Sequence, residues 1–95
     1  VKGDYHFTRA GLLNADEHGI TPDEVWQMLN SVSRIFRALD DHSRVVIGVT
    51  EANRFIVVLV REDPADELEG WDIVAARDLP EEQIPVYEGL LRRQL

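Results

Sequence analysis

The sequence predicts a small α+β domain, an antiparallel sheet of four to five strands with helices packed on one face, in the order β-α-α-β-β-β-β-α. Three observations carry this. Phe55 to Val60 is a run of six consecutive apolar residues between Arg54 and Arg61. A run this short, without alternation, reads as a strand buried on both faces, and removing such side chains from water is worth about 10 kcal/mol as an upper bound. Thr21-Pro22-Asp23-Glu24 has the form of a capping box with proline at the first helical position. Between Ser33 and Arg61 the apolar stretches are separated only by Asp40-Asp41-His42-Ser43 and Glu51-Ala52-Asn53, and connections so short imply an antiparallel meander. The 95 residues are expected to form a single domain, 1–95.

In order along the chain, Asp4 to Thr8 alternates, with Tyr5 and Phe7 on one side, and reads as a short edge strand. Arg9 to Glu17 is expected to be helical with Leu12 and Leu13 inward, closed after His18 by Gly19 in a left-handed conformation. The helix begun by the capping box presents Val25, Met28 and Leu29 on one face, with Trp26 beside them, and should end near Asn30 or Ser31. From Ser33 the period is two, with Ile35, Arg37 and Leu39 alternating against Arg34, Phe36 and Ala38. Arg44 to Thr50 and Arg54 to Arg61 follow as strands, Glu62 to Gly70 as an exposed acidic loop, and Trp71 to Arg77 as a further strand whose Ala75 and Ala76 admit a close helix. Pro80 and Pro85 cannot both lie in the first turn of one helix, so a turn at Pro80 to Gln83 precedes a helix from about Pro85 to Gln94, with Ile84, Tyr87 and Leu91 on one face. Helices on one side leave the second face of the Phe55 to Val60 strand uncovered, and a partner protein or a second copy is expected there.

Composition narrows the classes. Without cysteine there are no disulfides and no Cys-based zinc or redox sites. No apolar run reaches the length of a membrane span and no basic-then-apolar segment opens the sequence, so a cytoplasmic protein is expected. The net charge of −8 works against non-specific nucleic-acid binding.

His6, His18 and His42 have no ligand spacing, and solvated histidines are the simplest reading. Asp40-Asp41-His42 could hold a divalent ion, as could many acidic turns. There is no Gly-rich phosphate loop, nucleophile elbow or Cys nucleophile, so covalent hydrolase chemistry is not indicated. Glu62, Asp63, Asp66, Glu67 and Glu69 form a charge run of the kind found in solvated loops. Arg34, Arg37, Arg44, Arg54, Arg61 and Arg77 all lie in or beside strands. Several could converge on one sheet face to grip a phosphate; edge protection and ordinary ion pairs are the alternative.

Three segments together resemble a known family. Tyr5-His6-Phe7 followed by Glu17-His18-Gly19-Ile20-Thr21 is similar to the aromatic opening and Lys-His-Gly-Val-Ser segment of the BrnT-type toxins of bacterial type II toxin–antitoxin systems. Val45-Val46-Ile47-Gly48 with the apolar strand after it resembles the family's Ile-Gly strand and its successor, and Ile73-Val74-Ala75-Ala76-Arg77 with Tyr87-Glu88 resembles its Ile-Ser-Ala-Arg segment and trailing Tyr-Glu. The resemblance implies a RelE-like ribonuclease fold, metal-independent RNA cleavage without a cofactor, a cognate antitoxin as partner, and His18, Arg77 and Tyr87 as catalytic residues. Arg77 would hold the phosphate, and His18 or Tyr87 would move protons. Family basic positions are acidic here at Glu17 and Asp78, and the family's last glutamate falls at Gln83, beside Glu82. The alternative is a catalytically silent interaction module on the same fold.

Overall fold

The computed structural model describes residues 5–31, 34–62 and 70–92. The elements are β1 (Tyr5–Phe7), α1 (Arg9–Glu17), α2 (Pro22–Leu29), β2 (Arg34–Ala38), β3 (Ser43–Val49), β4 (Phe55–Glu62), β5 (Trp71–Asp78), a 3₁₀ turn (Glu81–Gln83) and α3 (Ile84–Arg92). They build an α+β domain on a five-stranded sheet of order β1-β5-β4-β3-β2. The acidic stretch expected to loop after Glu62 lies, at 63–69, outside the described residues.

The sheet is mixed, not antiparallel as expected. Strands β2 to β5 pair antiparallel, but β1 runs parallel to β5, with Tyr5 opposite Trp71 and Phe7 opposite Ile73. The antiparallel inference rested on short connections, and β1 has none to its neighbour, since both helices and three strands separate it from β5. A parallel neighbour is therefore open to it.

Local chemistry sets the helix boundaries. The Thr8 hydroxyl accepts a hydrogen bond from Gly11 N–H and starts α1, and Gly19, at φ 69°, takes the left-handed conformation that follows it. At α2 the capping box is complete: Glu24 N–H donates to the Thr21 hydroxyl, and Thr21 N–H donates to Glu24 Oε1 at 2.9 Å. In the β3–β4 turn, Asn53 holds φ 64°, a conformation asparagine tolerates better than most residues.

One sheet face is covered by α1 and α2. There Val25, Met28, Leu29, Val46, Ile56, Val58, Val60, Ile73 and Ala76 form one buried cluster, with Phe7 and Trp26 packed edge to face at its margin. The expected inward pair on α1 is corrected: Leu12 and Leu13 are 44% and 59% exposed, and Gly11 and Ala15 are buried instead. A Cβ on Gly11 would sit 2.0 Å from the Ile73 carbonyl oxygen. The helix therefore lies directly on the β5 backbone, too close for leucines between them. Its polar groups finish the contact, because the Thr8 hydroxyl donates to Ile73 O and the Ala76 N–H donates to Asn14 Oδ1. Asn14 thus supplies the β5 edge with an acceptor where β1 has ended.

The helices are not confined to one face, which is the third correction. Val57, opposite Ile47 and Arg77, points away from the main cluster, and the residues around it include Leu79, Pro80, Gln83 and Tyr87 of the C-terminal segment. The 3₁₀ turn and α3 therefore lie against the second face. Pro80 and Pro85 steer the chain there, the first ahead of the 3₁₀ turn and the second in the first turn of α3. Phe55, Val57 and Leu59 are consequently half-buried, whereas Ile56, Val58 and Val60 are fully buried.

Because α1 approaches through Gly11, Gly11→Ala should destabilise the fold by about 3 kcal/mol or more, while Leu12→Ala should change stability by about 0.5 kcal/mol or less. Urea unfolding of the two variants checks this contrast.

Candidate functional site

Of the three residues singled out in the sequence, two meet on the second face. Arg77 projects there from β5, opposite Val57. Tyr87 approaches from α3, and its hydroxyl accepts a hydrogen bond of 2.7 Å from Arg37 Nη1 on β2. Together with Ile47, Val57 and Gln83 they line a groove of about 360 Å³. No Asp or Glu is among its lining residues. A chain of net charge −8 thus carries a pocket whose charged groups are two guanidinium ions. The Arg77 guanidinium has no ion-pair or hydrogen-bond partner among the described residues, so its donors are available to an anion. The phenol of Tyr87 accepts from Arg37 and keeps its own O–H to donate.

His18 lies elsewhere. It caps α1 on the helix-covered side, with an exposed side chain, and its carbonyl accepts from Arg54 Nη2. The structure brings Arg77 and Tyr87 together and leaves His18 on the opposite side of the sheet.

Three of the remaining strand arginines bond elsewhere, and Arg54 does so through ion pairs, as the alternative reading held. Arg34 donates to the Leu29 and Ser31 carbonyls at the end of α2 and stacks over Phe36. Arg44 donates to the Asp40 and Ser43 carbonyls and lies over Trp71. Arg54 is the most heavily bonded. Nε and Nη2 donate to the two oxygens of Asp78 at 2.8 and 3.0 Å, and Nη1 reaches Glu24 and the Gly19 carbonyl. These bonds hold the Asp78 carboxyl below its ordinary value. Glu24 is lowered as well, first by the Thr21 N–H and then by Arg54, and Arg54 itself is held more firmly protonated. Asp78 is thus the partner of Arg54 and faces away from the groove.

Among the described residues no group of three or more His, Asp or Glu is placed to hold a metal ion. At Asp40-Asp41-His42, Asp40 Oδ1 instead accepts from the His42 N–H, and the His42 ring lies 3.8 Å from Glu62. A second depression, of about 610 Å³ beside α2, is lined by Asp23, Trp26, Gln27 and Glu51 among others and contains no arginine or lysine. Among the described residues no helix is long and apolar enough to cross a membrane.

Sequence reasoning counted Arg37 only as one of six strand arginines. The signal that marked it was its alternation with Ile35 and Leu39, which puts it on the sheet face away from Phe36. Its contact with Tyr87 spans 50 residues, and nothing local encodes that. No protein-family model matches this chain, and a search of curated proteins finds no match.

The carboxyls bound by Arg54 give a pH dependence of known sign. A carboxyl lowered in the folded state contributes stability above its unfolded value, and that contribution is lost as pH falls through the folded value. Stability should therefore decline below about pH 4. With Asp78 54% and Arg54 30% exposed, screening keeps the pairs modest. Arg54→Ala should cost about 2 kcal/mol at neutral pH and flatten the acid decline, as read from unfolding at pH 3 and pH 7.

Proposed function

We propose that this chain is a BrnT-like toxin component of a type II toxin–antitoxin system that cleaves RNA without a metal ion, through the groove on its second sheet face. The observation that carries the reading is the meeting of Arg37, Arg77 and Tyr87 in one groove without a carboxylate. The chemistry it suits is attack of an RNA 2′-oxygen on the adjacent phosphorus, with departure of the 5′-oxygen and formation of a cyclic phosphate. The developing charge on the phosphoryl oxygens is met by the guanidinium groups, which bind such oxygens bidentately. Tyr87 gives its phenolic proton to the leaving 5′-oxygen, the 2′-hydroxyl proton passes to water, and the phenol is reprotonated from solvent. This reading gives His18 no part in the reaction.

A cognate antitoxin would silence the site by covering it. Leu39, on the groove wall, is 60% exposed, and Val86 and Leu90 on α3 are 61% and 39% exposed. That apolar rim is suited to a protein partner. It also favours a second reading, a catalytically silent interaction module on the same fold.

Induced expression separates the two. Under the ribonuclease reading the wild-type chain arrests growth and degrades bulk RNA. Arg77→Ala and Tyr87→Phe lower cleavage by about 100-fold or more, and His18→Ala leaves it close to wild type. Growth and RNA that stay intact under wild-type expression rule out the ribonuclease reading.

A further inference from the structure

We propose that the outward edge of β2 pairs with the same edge of a second copy of this chain, antiparallel and centred on Phe36, so that two five-stranded sheets become one. The inference is independent of the RNA-cleaving reading.

It begins from the phase of the backbone. Leu39 N–H donates to Ser43 O, and β2 pairs with β3 as Arg37 with Val45 and Ile35 with Ile47. In an antiparallel ladder, hydrogen-bonded pairs recur at every second residue. The backbone groups of Ile35 and Arg37 are therefore used by β3, and those of Arg34, Phe36 and Ala38 point outward. The next ladder agrees, because Glu62 N–H donates to His42 O, which turns the even-numbered residues of β3 towards β4. Among the described residues no strand pairs with the outward side of β2, which ends the sheet. Phe36 on this edge is 45% exposed.

A twofold axis through Phe36 satisfies this phase. Phe36 meets Phe36, whose outward donor and acceptor exchange bonds with their counterparts, and Arg34 falls opposite Ala38. The side chains agree as well. The two Phe36 rings form a cross-strand aromatic pair, each with an Arg34 guanidinium already stacked on it at 5.1 Å. Ile35 falls opposite Arg37, so no arginine opposes an arginine. The other registers with the correct phase are worse. Centring on Arg34 or Arg37 sets like charges against each other, centring on Ile35 keeps only Arg34 to Phe36 of the described strand in the ladder, and centring on Ala38 runs the pairing into the bend at Leu39 and Asp40. The net charge of −8 per chain does not oppose the contact locally, because Arg34 to Leu39 contains no acid and more distant charges are screened beyond about 8 Å at physiological salt. Since the axis runs perpendicular to the sheet, the grooves of both copies open on the same side.

Sedimentation over a range of concentrations tests the proposal. The expected particle has twice the 10.9 kDa chain mass. Phe36→Pro removes an outward N–H and leaves the β2–β3 bonds in place, so it should weaken association by about tenfold or more with an unchanged circular dichroism spectrum. Phe36→Lys, which sets two cations on the axis, should do the same should the proline variant fail to fold. Because the chain has no cysteine, Phe36→Cys should join two copies through a short thiol-directed linker, and Val86→Cys should not. A single-chain mass at every concentration overturns the proposal. So does a dimer that survives both Phe36 variants without cross-linking in Phe36→Cys, and so does association seen only with a different protein.

Discussion

The guanidinium of Arg54 ties the helical layer to the sheet, joining the end of α1 and the start of α2 to β4 and β5. From the entrance to β4 it reaches Asp78 at the far end of β5, Glu24 in the first turn of α2, and the carbonyls of His18 and Gly19 between the two helices. Each of those carbonyls lies where a helix end leaves its acceptors without intrahelical partners. A lysine has neither the planar fork nor enough donors to replace it. Glu24 serves twice, closing the capping box on Thr21 and binding Arg54, so the start of α2 and its seat on the sheet are fixed by one carboxylate.

The two sheet faces divide the work of the molecule. The α1–α2 face excludes water around Val46, Ile56, Val58 and Val60 and supplies the packing. The other face is only partly covered by α3 and carries Arg37 and Arg77 above an apolar floor. This division lets a strongly acidic chain offer an anion a welcoming surface. Asp78 and Glu24, the carboxylates that bind Arg54, lie across the sheet from the groove.

The parts of the fold legible in sequence were those set by neighbours in the chain. The capping box at Thr21, the left-handed Gly19, the meander from β2 to β4 and the helix break between Pro80 and Pro85 each rest on a few adjacent residues. The misread features depend on distant ones. Leu12 and Leu13 looked like core residues because hydropathy registers size and apolarity, whereas α1 needed the absence of side chains at Gly11 to reach the Ile73 carbonyl. The parallel pairing of β1 and the crossing of α3 to the second face are both choices among long-range partners. Arg77 and Tyr87 drew notice through a resemblance, and Arg37 joined them only once the chain had folded.

The irregularity in β5 has a further meaning. Leu59 pairs with Ala75 while Val60 pairs with Ile73, so β5 spends one more residue than β4 across that step. Ile73 and Arg77 are four positions apart and in a regular strand would share a face, yet Ile73 is sealed in the core and Arg77 opens into the groove. Val74 acts as a parity switch, inverting the inside and outside of everything that follows it in the strand. The groove is therefore specified by a residue count as much as by side chains, and deleting one aliphatic residue would carry Arg77 to the wrong side of the sheet without altering any group that lines the site.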